Sequence, residues 1–197
     1  MRAERHPKEE ARLAALRAYE ILDSGAEAEF DEIVRVVAGV CGVPVSLISL
    51  VDTGRQWFKA RTGVDLTETP FEMSVCAHGI LQPDLLEIED MTKDVRTIDN
   101  PLVKGDPNAR FYAGAALVSD DGHPLGMLCV LDYQPRKLTE AQREVLQVMA
   151  KVVMRQIELR KRLRTEQLKN CWCRISWPRP MCCWNATTRC GARSTTG

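Results

Sequence analysis

The chain has 197 residues, 45% apolar and 27% charged, with a formal net charge of zero, which suits one globular domain with short extensions. No apolar run approaches the roughly 18 residues of a membrane helix, and Met1–Glu10 lacks the apolar stretch of a secretory signal, so a soluble, cytoplasmic protein without membrane insertion is expected. Residues 171–197 carry Arg174, Arg179, Arg189 and Arg193 and no acid, leaving a mildly acidic body that is a poor match for nucleic acid.

Residues 1–8 are expected to be disordered. From Glu9 to Leu22 the apolar positions Leu13, Leu16, Ala18, Tyr19 and Leu22 follow helical spacing. A second helix is predicted over Glu27–Cys41, with Phe30, Ile33, Val34, Val37, Ala38 and Val40 forming a wide apolar stripe and Gly42 ending it. Val43–Val51 reads as a strand covered on both faces. Asp52-Thr53-Gly54 turns it into a returning strand over Gln56–Arg61.

Thr69-Pro70 breaks the chain, and Ser74 is placed to cap a short helix through Cys76, His78 and Ile80. Leu85–Ile88 is a short strand candidate. Glu89–Arg110 reads as a long loop with little regular structure, and loops of that length are more often functional than idle. Strands over Phe111–Ser119 and Leu125–Asp132 flank the turn Asp120-Asp121-Gly122-His123. The final helix starts at Thr139, with Gln142 completing a capping box, and runs to about Lys169. It carries two apolar stripes. Val145, Met149, Val152, Leu159 and Leu163 form one, and Leu146, Ala150, Val153 and Ile157 the other. One suits the sheet and the other a partner helix.

Hairpin-linked strands with helices before and after them predict an α+β fold with an antiparallel sheet. Leu16–Asp23, Val45–Asp52, Gln56–Lys59, Ser74–Ile80, Asn100–Val103, Arg110–Ala115 and Leu125–Asp132 form a series that resembles the GAF domains near the N-termini of bacterial sensor histidine kinases and diguanylate cyclases. The resemblance covers about Ala11–Arg160. It implies a central antiparallel sheet with helices packed on one face, a loop-roofed pocket on the other, and a long C-terminal helix. It further implies homodimerisation through the N- and C-terminal helices and signalling to a C-terminal output domain. Ligands of this fold include cyclic nucleotides, tetrapyrroles and other small molecules, and the sequence leaves the cofactor unknown. Residues 9–169 are taken as the GAF domain with its signalling helix.

The candidate ligand-binding residues are Phe58, Cys76, His78, Asp94, Arg96, Asn100, Arg110 and Tyr112. Cys76-Ala77-His78 pairs a thiol with an imidazole. Bilin-binding relatives place histidine directly after the cysteine, so the intervening Ala77 argues against a bilin. Relatives that reduce free methionine sulfoxide use a cysteine before the penultimate strand. This chain has none between Ala77 and Met127, and a resolving partner for Cys76 could only be Cys129 or Cys41. Asp94, Arg96, Asn100 and Arg110 suit a polar ligand, but a polar loop also needs such groups for its own backbone. Ala113-Gly114-Ala115-Ala116 leaves room for either a ligand or a closely packed helix.

The histidines show no metal-ligand spacing, and no catalytic or phosphate-binding motif appears. Residues 170–197, with Cys171, Cys173, Cys182, Cys183 and Cys190 among Trp, Arg and Pro, break from what precedes them. They read as an unstructured or out-of-frame tail. The expected function is a non-catalytic sensory module, truncated before its output domain. Its alternatives are a thiol reductase using Cys76 and a ligand-free dimerisation module.

Overall fold

The computed structural model describes residues 3–82 and 84–175, with side chains through Lys169. The expectation for residues 170–197 therefore lies largely outside the described residues. One unit of the chain ends at Lys161 and a second begins at Arg162. In chain order the elements are α1 (Glu9–Ala18), α2 (Ala28–Cys41), β1 (Val45–Val51), β2 (Arg55–Thr62), β3 (Glu68–Pro70), α3 (Cys76–Gly79), β4 (Leu85–Ile88), α4 (Pro101–Lys104), β5 (Phe111–Val118), β6 (Pro124–Asp132) and α5 (Glu140–Ile175). The six strands form one antiparallel sheet in the order β3-β2-β1-β6-β5-β4.

The sheet separates two apolar layers. On one face Phe30, Val34 and Val37 of α2 and Leu146, Ala150, Val153 and Ile157 of α5 pack on Ile48, Leu50, Leu128 and Val130. On the other, Val45, Leu47, Phe58, Tyr112 and Cys129 meet α3 and the 89–110 segment. Period-two alternation in β1 feeds both layers, and all seven of its residues are buried.

Several ends differ from the sequence expectation. Helix α1 stops at Ala18 rather than Leu22, because Glu20 adopts a left-handed conformation with φ 46°. Arg160 donates to the carbonyls of Tyr19 and Glu20, satisfying acceptors freed at the helix end. Ahead of α1, where disorder was expected, Ala3 is buried and the Arg5 guanidinium lies 4.2 Å from the Phe71 ring centre. Gly42 ends α2 at φ 64°, its N–H returning to helix carbonyls. Residues 68–70, read as a break, form the edge strand β3, a position where proline costs no sheet hydrogen bond. The segment read as loop contains α4, capped by Asn100 with Pro101 in its first turn. Thr139 and Gln142 make the reciprocal bonds of the capping box, and Gln142 Nε2 also donates to the carbonyls of Val40 and Cys41.

A bulge between β1 and β2 leaves Lys59 without a partner across the ladder, so Lys59 and Ala60 both serve the helical face. The Lys59 ammonium is fully buried there. It donates to Ser24 Oγ at 2.9 Å, Gly25 O at 2.7 Å and Glu27 Oε1 at 2.6 Å. Arg160 Nε shares Glu27 Oε1 at 2.9 Å. Burial pushes the Glu27 carboxyl up, but Lys59 and then Arg160 outweigh it and hold the group below its ordinary range. A depressed carboxyl stabilises the fold above its unfolded value, and that stabilisation disappears as pH falls through the folded value. Glu27→Gln is therefore expected to cost about 3 kcal/mol at pH 7, by stranding a buried cation. The difference from wild type should shrink from about pH 4.5 downward. Urea unfolding at pH 7 and pH 3 tests this; an equal difference at both would refute the linkage.

Candidate functional site

On the face opposite the long helices, the sheet and the 89–110 roof enclose a cavity of about 80 Å³. Its floor is Val45 and Leu47 of β1, Phe58 of β2, Tyr112 of β5, and Cys129 and Leu131 of β6. Met73, Val75 and Cys76 close one side, and Leu102, Pro107 and Ala109 of the roof close another. Among the described residues no charged side chain lines it.

Of the eight candidates, Phe58, Cys76 and Tyr112 come together here. Alternation places Phe58 on this face while Trp57 joins the helical layer. Ser74 accepts from the Ala77 N–H at 3.0 Å, so the expected cap forms and turns Cys76 inward. The Tyr112 hydroxyl donates to Cys76 Sγ at 3.2 Å, and Cys129 Sγ lies 3.7 Å from Cys76 Sγ. Burial works against a thiolate at Cys76, yet side-chain hydrogen bonding, led by Cys129, outweighs it and holds the thiol below its ordinary range. Its bond to Cys76, with burial, pushes Cys129 well up. Burial, then the Cys76 charge, does the same to Tyr112.

The small residues of β5 divide their roles by face. Ala113 and Ala115 lie in the helical layer. A Cβ on Gly114 would meet the Tyr112 hydroxyl at 2.6 Å and Cys129 Cβ at 3.1 Å. Gly114 thus makes room for the Tyr112 ring to reach Cys76.

The other five candidates do not line the cavity. Arg96 grips Asp94 through Nε at 2.8 Å and Nη2 at 2.5 Å, which lowers the Asp94 carboxyl below its usual range against opposing burial. His78, half-buried on α3, adds a smaller charge effect on the same carboxylate. Asn100 Oδ1 accepts from Leu102 N–H and its Nδ2 donates to Met73 O, both at 2.9 Å. Arg110 Nη1 donates to the carbonyls of Val103 and Ala109 at 2.8 and 3.0 Å. These groups fasten the roof, meeting a backbone demand that sequence alone could not separate from ligand recognition.

Gln56 and Thr69, which sequence reasoning did not single out, also line the cavity. The signal for Gln56 was available, since a cavity-facing Phe58 places the residue two before it on the same face. Thr69 gave no such signal, because its strand was read as a break.

Among the described residues no helix is long and apolar enough to cross a membrane. The sequence profile of the GAF domain family matches residues 26–157. A cyclic di-GMP phosphodiesterase of Pseudomonas aeruginosa is 41% identical over 154 residues, covering 77% of this chain. The match takes in only 26% of that relative, about a quarter of its length. Among solved structures, the GAF domain of an Acinetobacter phosphoenolpyruvate-protein phosphotransferase aligns with TM-score 0.58 at 19% identity, over 79% of this chain and 98% of that one. A domain assigned to a two-component sensor histidine kinase of Sinorhizobium meliloti 1021 aligns at 0.54 and 15%, over 75% and 99%. At such identities these two neighbours speak for the fold.

Proposed function

The chain belongs to the GAF domain family, and on that premise we propose that it is a cytoplasmic sensory module that binds a small molecule and reports occupancy through a homodimer. The observation that carries this is the apolar cavity between sheet and roof. Its walls are strands, α3 and the roof segment, so occupancy and roof packing are linked, and a ligand acts by favouring one arrangement over another. Val145, Met149, Val152, Leu159 and Leu163 keep heptad spacing along α5 and supply the seam for a partner helix. In this reading the chain is not itself an enzyme; it regulates an output domain such as a kinase, cyclase or phosphodiesterase.

Native mass spectrometry of the chain purified from its own host tests the reading. The expected species is a dimer carrying one small molecule per protomer. A bare chain that takes up nothing from a host metabolite extract would leave only the ligand-free dimerisation module. The 3.7 Å approach of Cys76 and Cys129 favours one second reading, a thiol reductase for free methionine sulfoxide. Turnover that disappears in Cys76→Ser would establish it.

A further inference from the structure

The lining of the cavity also specifies the chemistry of what enters it. Resting on the sensory reading above, we infer that the ligand is small, uncharged and largely apolar, with one carbonyl or hydroxyl oxygen held by Gln56 and Thr69. These two residues face each other across the β2–β3 ladder, so their side chains are neighbours on the cavity side. Both are more than nine-tenths buried. Thr69 Oγ1 has no hydrogen-bond partner among the described residues. Buried hydroxyls are rarely left so unless something absent completes them.

The Gln56 carboxamide is held in one orientation. Ser74 accepts the Ala77 N–H and spends its own proton on Gln56 Oε1. With that oxygen taken, the amino group is the donor end of Gln56, on a residue that lines the cavity. A donor pair beside a hydroxyl suits one acceptor oxygen.

The rest of the lining excludes charge. An anion placed among Val45, Leu47, Phe58, Leu102 and Leu131 would be stripped of water with no counter-ion. The nearest arginines of the roof are committed to Asp94 and to the carbonyls of Val103 and Ala109. The free volume of about 80 Å³ admits roughly three or four non-hydrogen atoms, a cavity of about 150 Å³ being what benzene fills.

Three isosteric probes separate the terms: acetone, acetate, and isobutene, in which a methylene replaces the carbonyl oxygen. NMR titrations of the whole chain, following the methyls of Val45, Leu47 and Val75, give the affinities. Acetone is expected to bind at least fivefold more tightly than isobutene and at least twentyfold more tightly than acetate. Thr69→Val, which keeps the side-chain shape on an edge strand, should erase most of the preference over isobutene while leaving isobutene itself unchanged. Gln56→Leu should do the same. Acetate binding as well as acetone, or a preference that survives both substitutions, overturns the inference. A charged ligand found in protein from the host overturns it too, while leaving the sensory reading intact. If no probe shifts the cavity methyls and no molecule copurifies, the sensory reading falls with it.

Discussion

Gly126→Ala is expected to prevent the chain from folding, or to destabilise it by more than about 4 kcal/mol. Gly126 sits in the middle of the sheet, opposite Leu50 of β1 and Leu117 of β5. A Cβ there would lie 1.9 Å from Ser49 O and 2.8 Å from Leu50 Cα. Both are backbone atoms of the neighbouring strand, so no side-chain rotation relieves the clash. Strand β1 must draw away from β6, and the two strands carry Ile48 and Leu50 of one core and Leu47, Met127 and Cys129 of the other. With domains typically stable by 5–15 kcal/mol, such a loss consumes much of the total. Gly114→Ala is the useful control, because its nearest contacts are the side chains of Tyr112 and Cys129, which can give way. It should cost about 1–3 kcal/mol. Guanidinium unfolding followed by circular dichroism decides the matter; a Gly126→Ala protein within 1 kcal/mol of wild type would show that the two strands tolerate a wider spacing.

The same contrast explains how much of the fold was legible in the sequence. Helix α2 and strand β1 follow from patterns of period 3.6 and 2, which survive because each buries a continuous face. Asn100-Pro101 is a helix-start signal in its own right, but four residues are too few for periodicity to confirm it. Strand β3 was hidden because its pairing to β2 is a long-range fact, and its proline locally argues against a strand. At the site, Phe58, Cys76 and Tyr112 were reachable because strand alternation and the Ser74 cap fix their direction. The charged roof residues were not resolvable that way. Asp94, Arg96 and Arg110 are the groups an anionic ligand would need, and also the groups that an irregular backbone needs for itself. Geometry tells the two uses apart, through the hydrogen bonds all three make inside the roof. The polar side chains that do line the cavity, Gln56 and Thr69, came instead from the edge hairpin.

Leu159→Glu combined with Leu163→Glu is expected to convert the proposed homodimer to a monomer while leaving the domain folded. Leu159 and Leu163 are about half exposed, so neither contributes to the packed layers that hold the sheet. They stand four apart on the stripe that begins at Val145, whereas Leu146, Ala150, Val153 and Ile157 are buried on the sheet. Met149 and Val152 of that stripe still pack on the helical core, so the face α5 has to offer another helix is the continuation of the stripe through Leu159 and Leu163. In a symmetric pair each substitution occurs twice. Half exposed in the single chain, each leucine has about 0.75–1.5 kcal/mol left to gain, so four amount to roughly 3–6 kcal/mol. That corresponds to about 10²–10⁴-fold in the dissociation constant, before repulsion among four carboxylates facing one another. Glutamate is a good helix former, so α5 itself should persist with an unchanged far-UV circular dichroism spectrum, and the melting temperature should fall only by the stabilisation that pairing supplied. Sedimentation velocity at micromolar concentration gives the answer. A double variant that remains dimeric would shift the interface away from this seam, toward the exposed Val36 and Val40 of α2. A wild-type chain that sediments as a monomer would remove dimerisation from the signalling mechanism altogether, leaving α5 to report cavity occupancy within a single chain.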